Sequence, residues 1–210
     1  GGGLERLVTR IFDQGQEGSC VANAAGQGVE IIQAKTFGKE NVVPVSPMSL
    51  YKRIARSAQS GAIVRNGMDE LGERGILPLD TPENRAKFGA AVMPHTGWST
   101  PFPPNWEETA KKFLIIERVP IQSVAGIFTA LCQQFPVMVG REGHSICYTT
   151  PIRRNGRRNS LYANSWSLDW GIAAGDMPGG FGVDSESQIK KSASWAWALR
   201  TIRTDWRVAA

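Results

Sequence analysis

Three residue types far apart in this 210-residue chain could form one reaction centre: a thiol at Cys20, an imidazole at His144 and a carboxamide at Asn164. A Gly-rich loop, Asp13-Gln14-Gly15-Gln16-Glu17-Gly18-Ser19, runs into Cys20. A run able to form a helix starts there, with Val21, Ala22, Ala24, Ala25, Val29, Ile31 and Ile32 apolar and Gly38 as a stop past Phe37. Cys20 then falls in the first turn, where free backbone N–H groups and the helix dipole favour an anion. A thiol so placed is activated, because the thiolate is the nucleophile. Taken alone, the same stretch fits an inert buried cysteine equally well. A nucleophilic thiol needs a base, and the base needs a group that orients it. The chain has two histidines, His95 and His144. His95 follows Pro94 in irregular chain and has no recognisable site around it. His144 lies in Gly143-His144-Ser145-Ile146-Cys147-Tyr148, a loop entering a strand, which is a stiff place to hold a ring. Asn164, further on, can accept the other ring N–H.

The elements that would position these groups divide the chain in two. Leu4 to Phe12 reads as an extended lead-in. A helix over about 19–37 follows, then one opened by Ser46-Pro47, an N-cap with proline at the first helical position. Asn66-Gly67 opens a short segment running from Met68 to Arg74, and Thr81-Pro82 starts another short helix. Residues 89–106, rich in Gly, Pro, Ser, Thr and Trp, form the passage between halves. Beyond it, Phe113 to Val119 reads as a strand ended by Pro120. Val124, Ile127, Phe128, Leu131 and Phe135 make an amphipathic helix with Cys132 packed beside the stripe. Strands are expected over 136–140, 144–152, 159–166 and 194–203, with Trp195, Trp197 and Leu199 on one face of the last. The fold class is α+β: mainly helical over 13–105 and mainly antiparallel β over 106–210.

Composition limits the alternatives. Hydrophobic content of 41% and charged content of 20% describe a globular protein with no membrane span. No signal-peptide pattern opens the chain. Gly1-Gly2-Gly3 looks like a linker or processing scar, so the chain is expected to be part of a larger protein or assembly. A net charge of +5 is too modest and too scattered to argue for a nucleic-acid partner. Arg153-Arg154 and Arg157-Arg158 flank Asn155-Gly156, a type I′ hairpin signal, and read as a solvated tip. Three widely spaced cysteines make no disulfide framework, and two histidines without C-x-x-C make no zinc site. Neither a metal nor an organic cofactor is expected. Cysteine usage fits a cytoplasmic or otherwise disulfide-free setting.

With these residues in view, the sequence resembles the papain-like cysteine peptidases. The family pattern Q-G-x-C-G-S-C-[WF] stands as Gln14-Gly15-Gln16-Glu17-Gly18-Ser19-Cys20-Val21, and G-H-A-V as Gly143-His144-Ser145-Ile146. K-N-S-W-G-x-x-W-G stands as Ala163-Asn164-Ser165-Trp166-Ser167-Leu168-Asp169-Trp170-Gly171. The three matches occur in the family's order and near its separations. The resemblance implies that the two halves are lobes with a cleft between them, the second barrel-like, with Cys20 as nucleophile, His144 as its base and later acid, and Asn164 as orienter of the ring. It implies Gln14 and the Cys20 backbone N–H as donors to the oxyanion, and Trp166 as a shield over the His–Asn bond. The family's C-x-G-G substrate strip corresponds to Arg65-Asn66-Gly67-Met68, which makes Gly67 and Met68 substrate-binding and puts a side chain where the family has its second glycine. The family's disulfide cysteine is Glu17 here, and the aromatic after the nucleophile is Val21. The family usually folds with an inhibitory propeptide. None is read before Leu4.

The implied activity is hydrolysis of peptide bonds in a peptide or protein substrate through a Cys–His–Asn triad and an acyl-enzyme. Two other readings keep the fold. One is a structural or interaction module with little turnover, at home in a phage particle or a multi-domain bacterial protein. The other is a hydrolase of cell-wall amides.

Overall fold

The computed structural model describes residues 2–207. Its organising element is α1 (Cys20–Phe37), buried from Val21 to Ala34 on all sides. The helix ends where Gly38 adopts a φ of 91° and its N–H closes on the Ala34 carbonyl at 3.0 Å. Four polar side chains on α1 are buried: Asn23, Gln27, Glu30 and Gln33. Their spacing puts them on one stripe of the helix. Glu30 takes the Arg10 guanidinium at 2.8 Å and the Val45 N–H at 2.9 Å. Gln33 accepts from the Val43 N–H and donates to its carbonyl, both at 3.0 Å. These bonds tie the lead-in and the chain at 43–45 to α1 and repay the cost of burying polar groups.

Around α1 pack α2 (Pro47–Ile54) and α3 (Val64–Glu73), followed by α4 (Pro82–Phe88) and α5 (Trp106–Ala110). The Ser46 and Thr81 side chains cap α2 and α4, each with proline in the first turn. The lead-in is not wholly extended: Leu4–Leu7 form a 3₁₀ turn. The short helix expected from Met68 starts earlier, at Val64, so Gly67 lies within it rather than at its opening. A Cβ on Gly67 would sit 3.0 Å from a Val21 methyl. The glycine lets α3 pack closely on α1.

The second half is one antiparallel sheet of seven strands in the order β1-β7-β2-β3-β4-β6-β5. These are β1 (Ile115–Ile121), β2 (Val137–Arg141), β3 (His144–Arg154), β4 (Arg157–Ala163), β5 (Ile172–Ala174), β6 (Met177–Ser185) and β7 (Ala196–Ile202). The expected barrel-like lobe is thus an open sheet, with β1 and β5 as its edges. Pro120 is tolerated inside β1 because an edge strand has a side that needs no ladder bonds. The helices α6 (Val124–Cys132) and α7 (Glu186–Ser192) pack on it. Cys132 is exposed, not packed beside the apolar stripe, while Cys147 is buried and no cysteine is in a disulfide. The Asn155-Gly156 turn joins β3 to β4 with φ of 52° and 72°, as a type I′ hairpin requires.

Strand alternation decides which core each residue enters. Met138 on β2 joins α1, α2 and α3 with Leu199, Ile115 and Ile202. Its neighbours Val137 and Val139 point the other way, to Ile127, Leu131 and Ile189 of α6 and α7. The sheet therefore separates two apolar layers, and α1 crosses its inner face with Cys20 at one end. Among the described residues no helix is long and apolar enough to cross a membrane.

Candidate active site

Cys20 and His144 face one open cleft of about 980 Å³. Its walls are Ile54–Arg56 and the 60–64 segment on one side and Gly140–His144, Lys191 and Trp195 on the other. Cys20 is the first residue of α1, and His144 the first residue of β3, just past the Gly143 turn at φ 68°. Asn164 follows the end of β4 and is 2% exposed. The segment after it is stitched to the strand that leads to Cys20. The Gln14 N–H bonds the Ser165 carbonyl at 3.0 Å, and the Ser167 N–H bonds the Phe12 carbonyl at 3.2 Å.

The His144 Nε2 lies 2.7 Å from the Asn164 Oδ1. The backbone N–H of Ser165 points at the same oxygen, at 2.9 Å. A backbone N–H can only donate, so this atom is the carboxamide oxygen and not its nitrogen. His144 must then carry its proton on Nε2 when neutral. Its Nδ1 is left to accept a second proton, such as one from a thiol. The Trp166 ring stacks on the imidazole at 4.6 Å between centroids and 24° between planes. Trp170 supports it edge-on at 5.3 Å. Trp166 remains 45% exposed, so it takes the solvent side and leaves the His–Asn bond covered.

Burial pushes the Cys20 thiol up, while the N–H groups of Ser145, Val21 and Cys20 itself hydrogen-bond the thiolate form and pull it down. Burial also pushes the His144 imidazolium down; the Asn164 bond raises it, and the nearby Arg141 charge lowers it again. Arg141 is itself held by both oxygens of buried Asp184, at 3.1 and 3.2 Å, and over the Tyr162 ring at 4.8 Å. Taken singly, each group is driven toward neutrality by burial. An ion pair between them would be a mutual solvation of two otherwise disfavoured charges.

No protein-family model and no curated protein matches the chain by sequence. Solved structures do match. Xylellain, a cysteine protease from Xylella fastidiosa, superposes with a TM-score of 0.67 at 17% identity, over 92% of this chain and 83% of that one. A digestive procathepsin L 3 from Tenebrio molitor larval midgut does so at 0.66 and 14% identity, and the ragweed pollen cysteine protease Amb a 11 in its proform at 0.64 and 17%. The chain has the papain-like fold. It covers 92% and 94% of itself in the last two matches but spans 66% and 63% of those chains.

On this papain-like fold Cys20 and His144 line the cleft, Asn164 is bonded to His144 and Trp166 stacks on it, and Gln14 is tied to Glu17 and Ser165. The Gln14 Nε2 donates to the Glu17 carbonyl at 2.9 Å, and its Oε1 accepts from the Ser165 hydroxyl at 2.6 Å. One N–H of the Gln14 amide is left over from these bonds. Gly67 and Met68 do not form an extended strip. Both are buried in α3, and Met68 is fully enclosed in the core. A helix interior offers no free backbone groups to a ligand, and Met68 neither narrows nor redirects the cleft. The non-helical chain on that wall is 55–56 and 60–63, where Gly61 has φ 67° and open space beside its Cα. The shift arises because α3 begins at Val64. Glu17 bonds the N–H groups of Gly97 and Trp98 through Oε1, at 3.0 and 2.9 Å, and so links the loop before Cys20 to the inter-half passage.

Other contributors carry no motif signal. The Ser145 N–H acts through its backbone, which no side-chain pattern reports. His95 packs edge-on to Phe12 at 5.2 Å, with Nε2 2.9 Å from the Asn23 Oδ1 and Nδ1 3.4 Å from Arg10. The Asn23 amide in turn donates to the Ser19 carbonyl and hydroxyl, both at 2.9 Å, one residue before Cys20. His95 thus braces the start of α1. Among the described residues no group of three His, Cys, Asp or Glu side chains could hold a metal ion.

Proposed function

We propose that the chain is a cysteine-type peptidase. The observation that carries this reading is the His144–Asn164 bond with its tautomer set by Ser165, in a cleft shared with the thiol at the start of α1. In the reaction, the Cys20 thiolate attacks the scissile carbonyl carbon while Nδ1 of His144 holds the thiol proton. The tetrahedral oxyanion is met by the Cys20 backbone N–H and the spare Gln14 N–H. The C–N bond breaks as His144 delivers its proton to the leaving amine, and a thioester remains. Water then attacks the thioester, giving its proton to His144, and the acid product leaves as the thiol reforms. Loss of one oxyanion donor typically costs about 10²–10³ in turnover, so Gln14→Ala should fall in that range.

The open chain at Ser60–Ile63 suits an extended peptide better than the buried Gly67 and Met68. Ile63 and Trp195, 59% and 54% exposed on opposite walls, offer apolar contact for a side chain beside the scissile bond. A second reading, a papain-fold module with little turnover, is favoured by one observation: burial acts against both charges of the pair. The two readings separate on one experiment. The wild type and Cys20→Ala are incubated with a peptide library, and the wild type with a thiol-directed epoxide. Cleavage lost in the variant, with the label on Cys20, supports the peptidase. Absence of both cleavage and labelling rejects it.

A further inference from the structure

Of the four buried polar side chains on the α1 stripe, three have their hydrogen bonds. Gln27 does not. It is 2% exposed, and neither its Nε2 nor its Oε1 has a partner among the described residues. An amide left in that state costs stability relative to an apolar side chain of the same shape, and so calls for a reason.

The wall of the void it borders supplies one. Gln27 lines a narrow gap with Phe12, Asn23, Ser145, Asn164 and Ser165. The space is too tight to admit a water-sized sphere. Phe12 offers no hydrogen bond. Asn23 is spent on Ser19 and His95. The Ser145 hydroxyl donates to the Val139 carbonyl, and the Ser165 hydroxyl to Gln14. The one side-chain donor left over on these walls is the Asn164 Nδ2, which is also buried and unpartnered. It belongs to the carboxamide that holds His144.

We propose that Gln27 is a positioning residue for Asn164: its Oε1 accepts the Asn164 Nδ2–H across the void, through a rotation of the Gln27 amide. The Gln27 Nε2–H then finds the free lone pairs of the Ser145 or Ser165 hydroxyl. Asn164 would be held at both ends, by Ser165 and His144 at Oδ1 and by Gln27 at Nδ2. Polarisation along such a chain strengthens the His144 bond. The purpose of this device rests on the peptidase reading, but its readout does not.

The test compares wild type, Gln27→Met, Asn164→Ala and the double variant. The methionine keeps the volume and removes the polar atoms. The expected result is that Gln27→Met unfolds at a lower denaturant concentration than wild type, because the buried Asn164 Nδ2–H loses its acceptor, and moves the ¹⁵N–¹H signal of His144 Nε2 toward its position in Asn164→Ala. In the Asn164→Ala background the same change should move nothing further. Turnover should fall about tenfold at unchanged KM, as expected when only the reacting geometry is loosened. A His144 signal that Gln27→Met leaves in place, or moves equally in both backgrounds, overturns the proposal. Should Gln27→Met not fold, the wild type still decides: nuclear Overhauser contacts between the Asn164 Nδ2 protons and the Gln27 side chain are required, and their absence refutes it. A wild type that cleaves no peptide while Gln27→Met still shifts His144 rejects the peptidase and keeps Gln27. Cleavage with an unmoved His144 does the reverse.

Discussion

The N–H of Ser165 has an effect out of proportion to its size. By donating to the Asn164 Oδ1 it assigns that carboxamide, the carboxamide assigns the tautomer of His144, and the tautomer leaves Nδ1 as the nitrogen able to accept a proton. What the imidazole does for the thiol can be measured directly. Burial alone pushes Cys20 above the ordinary thiol value, and only hydrogen bonds from backbone N–H groups oppose it. An imidazolium beside it would reverse the sign. Cys20 alkylation in the wild type should therefore titrate below the ordinary thiol range, and in His144→Ala above it. Iodoacetamide rates across pH give both values. Identical profiles would mean that the two side chains do not form a pair.

At the level of elements, the loop before Cys20 is held by polar ties rather than by a covalent one. Glu17 Oε1 satisfies two N–H groups, of Gly97 and Trp98. Glu17→Ala orphans both, although it also removes the buried, unpartnered Oε2. With about 1.5–3 kcal/mol for a bond to a charged group, the net loss should be about 2 kcal/mol. Glu17→Gln keeps the accepting oxygen and should lose less than half of that, as read from urea midpoints. His95 braces the same region from behind α1. Burial, then the Arg10 charge, lowers its pKa to about 4, so the folded protein holds it neutral. The unfolded chain binds a proton near pH 6.5. His95 therefore contributes stability that is fully present above pH 6.5 and is lost as pH falls toward 4. The unfolding free energy of wild type relative to His95→Gln should fall by roughly 2–3 kcal/mol between pH 7 and 4, at about 1.36 kcal/mol per unit. A flat difference would show that His95 is solvated and carries no such linkage.

For the molecule as a whole, the three free thiols mean that the fold owes nothing to a disulfide. A reductant should leave its melting temperature unchanged, and a drop of several degrees would reveal a cross-link. The α1 span, the Ser46 and Thr81 caps and the Asn155-Gly156 hairpin were legible because each is local: an apolar run, a side chain bonded three residues on, a pair of positive-φ residues. Strand β6 was not, because its glycines answer to distant neighbours. A Cβ on Gly182 would collide with the Tyr162 ring, and one on Gly180, at φ 88°, with Ile11. Such glycines erase the alternation by which a strand is recognised. The same cause misled the reading of Gly67. Gly67 reads as a turn residue, but it is a helical glycine placed where α3 touches Val21. The sequence by itself determined the α+β division and the residues able to do chemistry, since residue type, order and local period carry both. Only the tertiary structure decided which imidazole nitrogen is free, which loop faces the cleft and which buried amide lacks a partner. Those depend on backbone donors and on contacts between segments more than a hundred residues apart, which local pattern does not record.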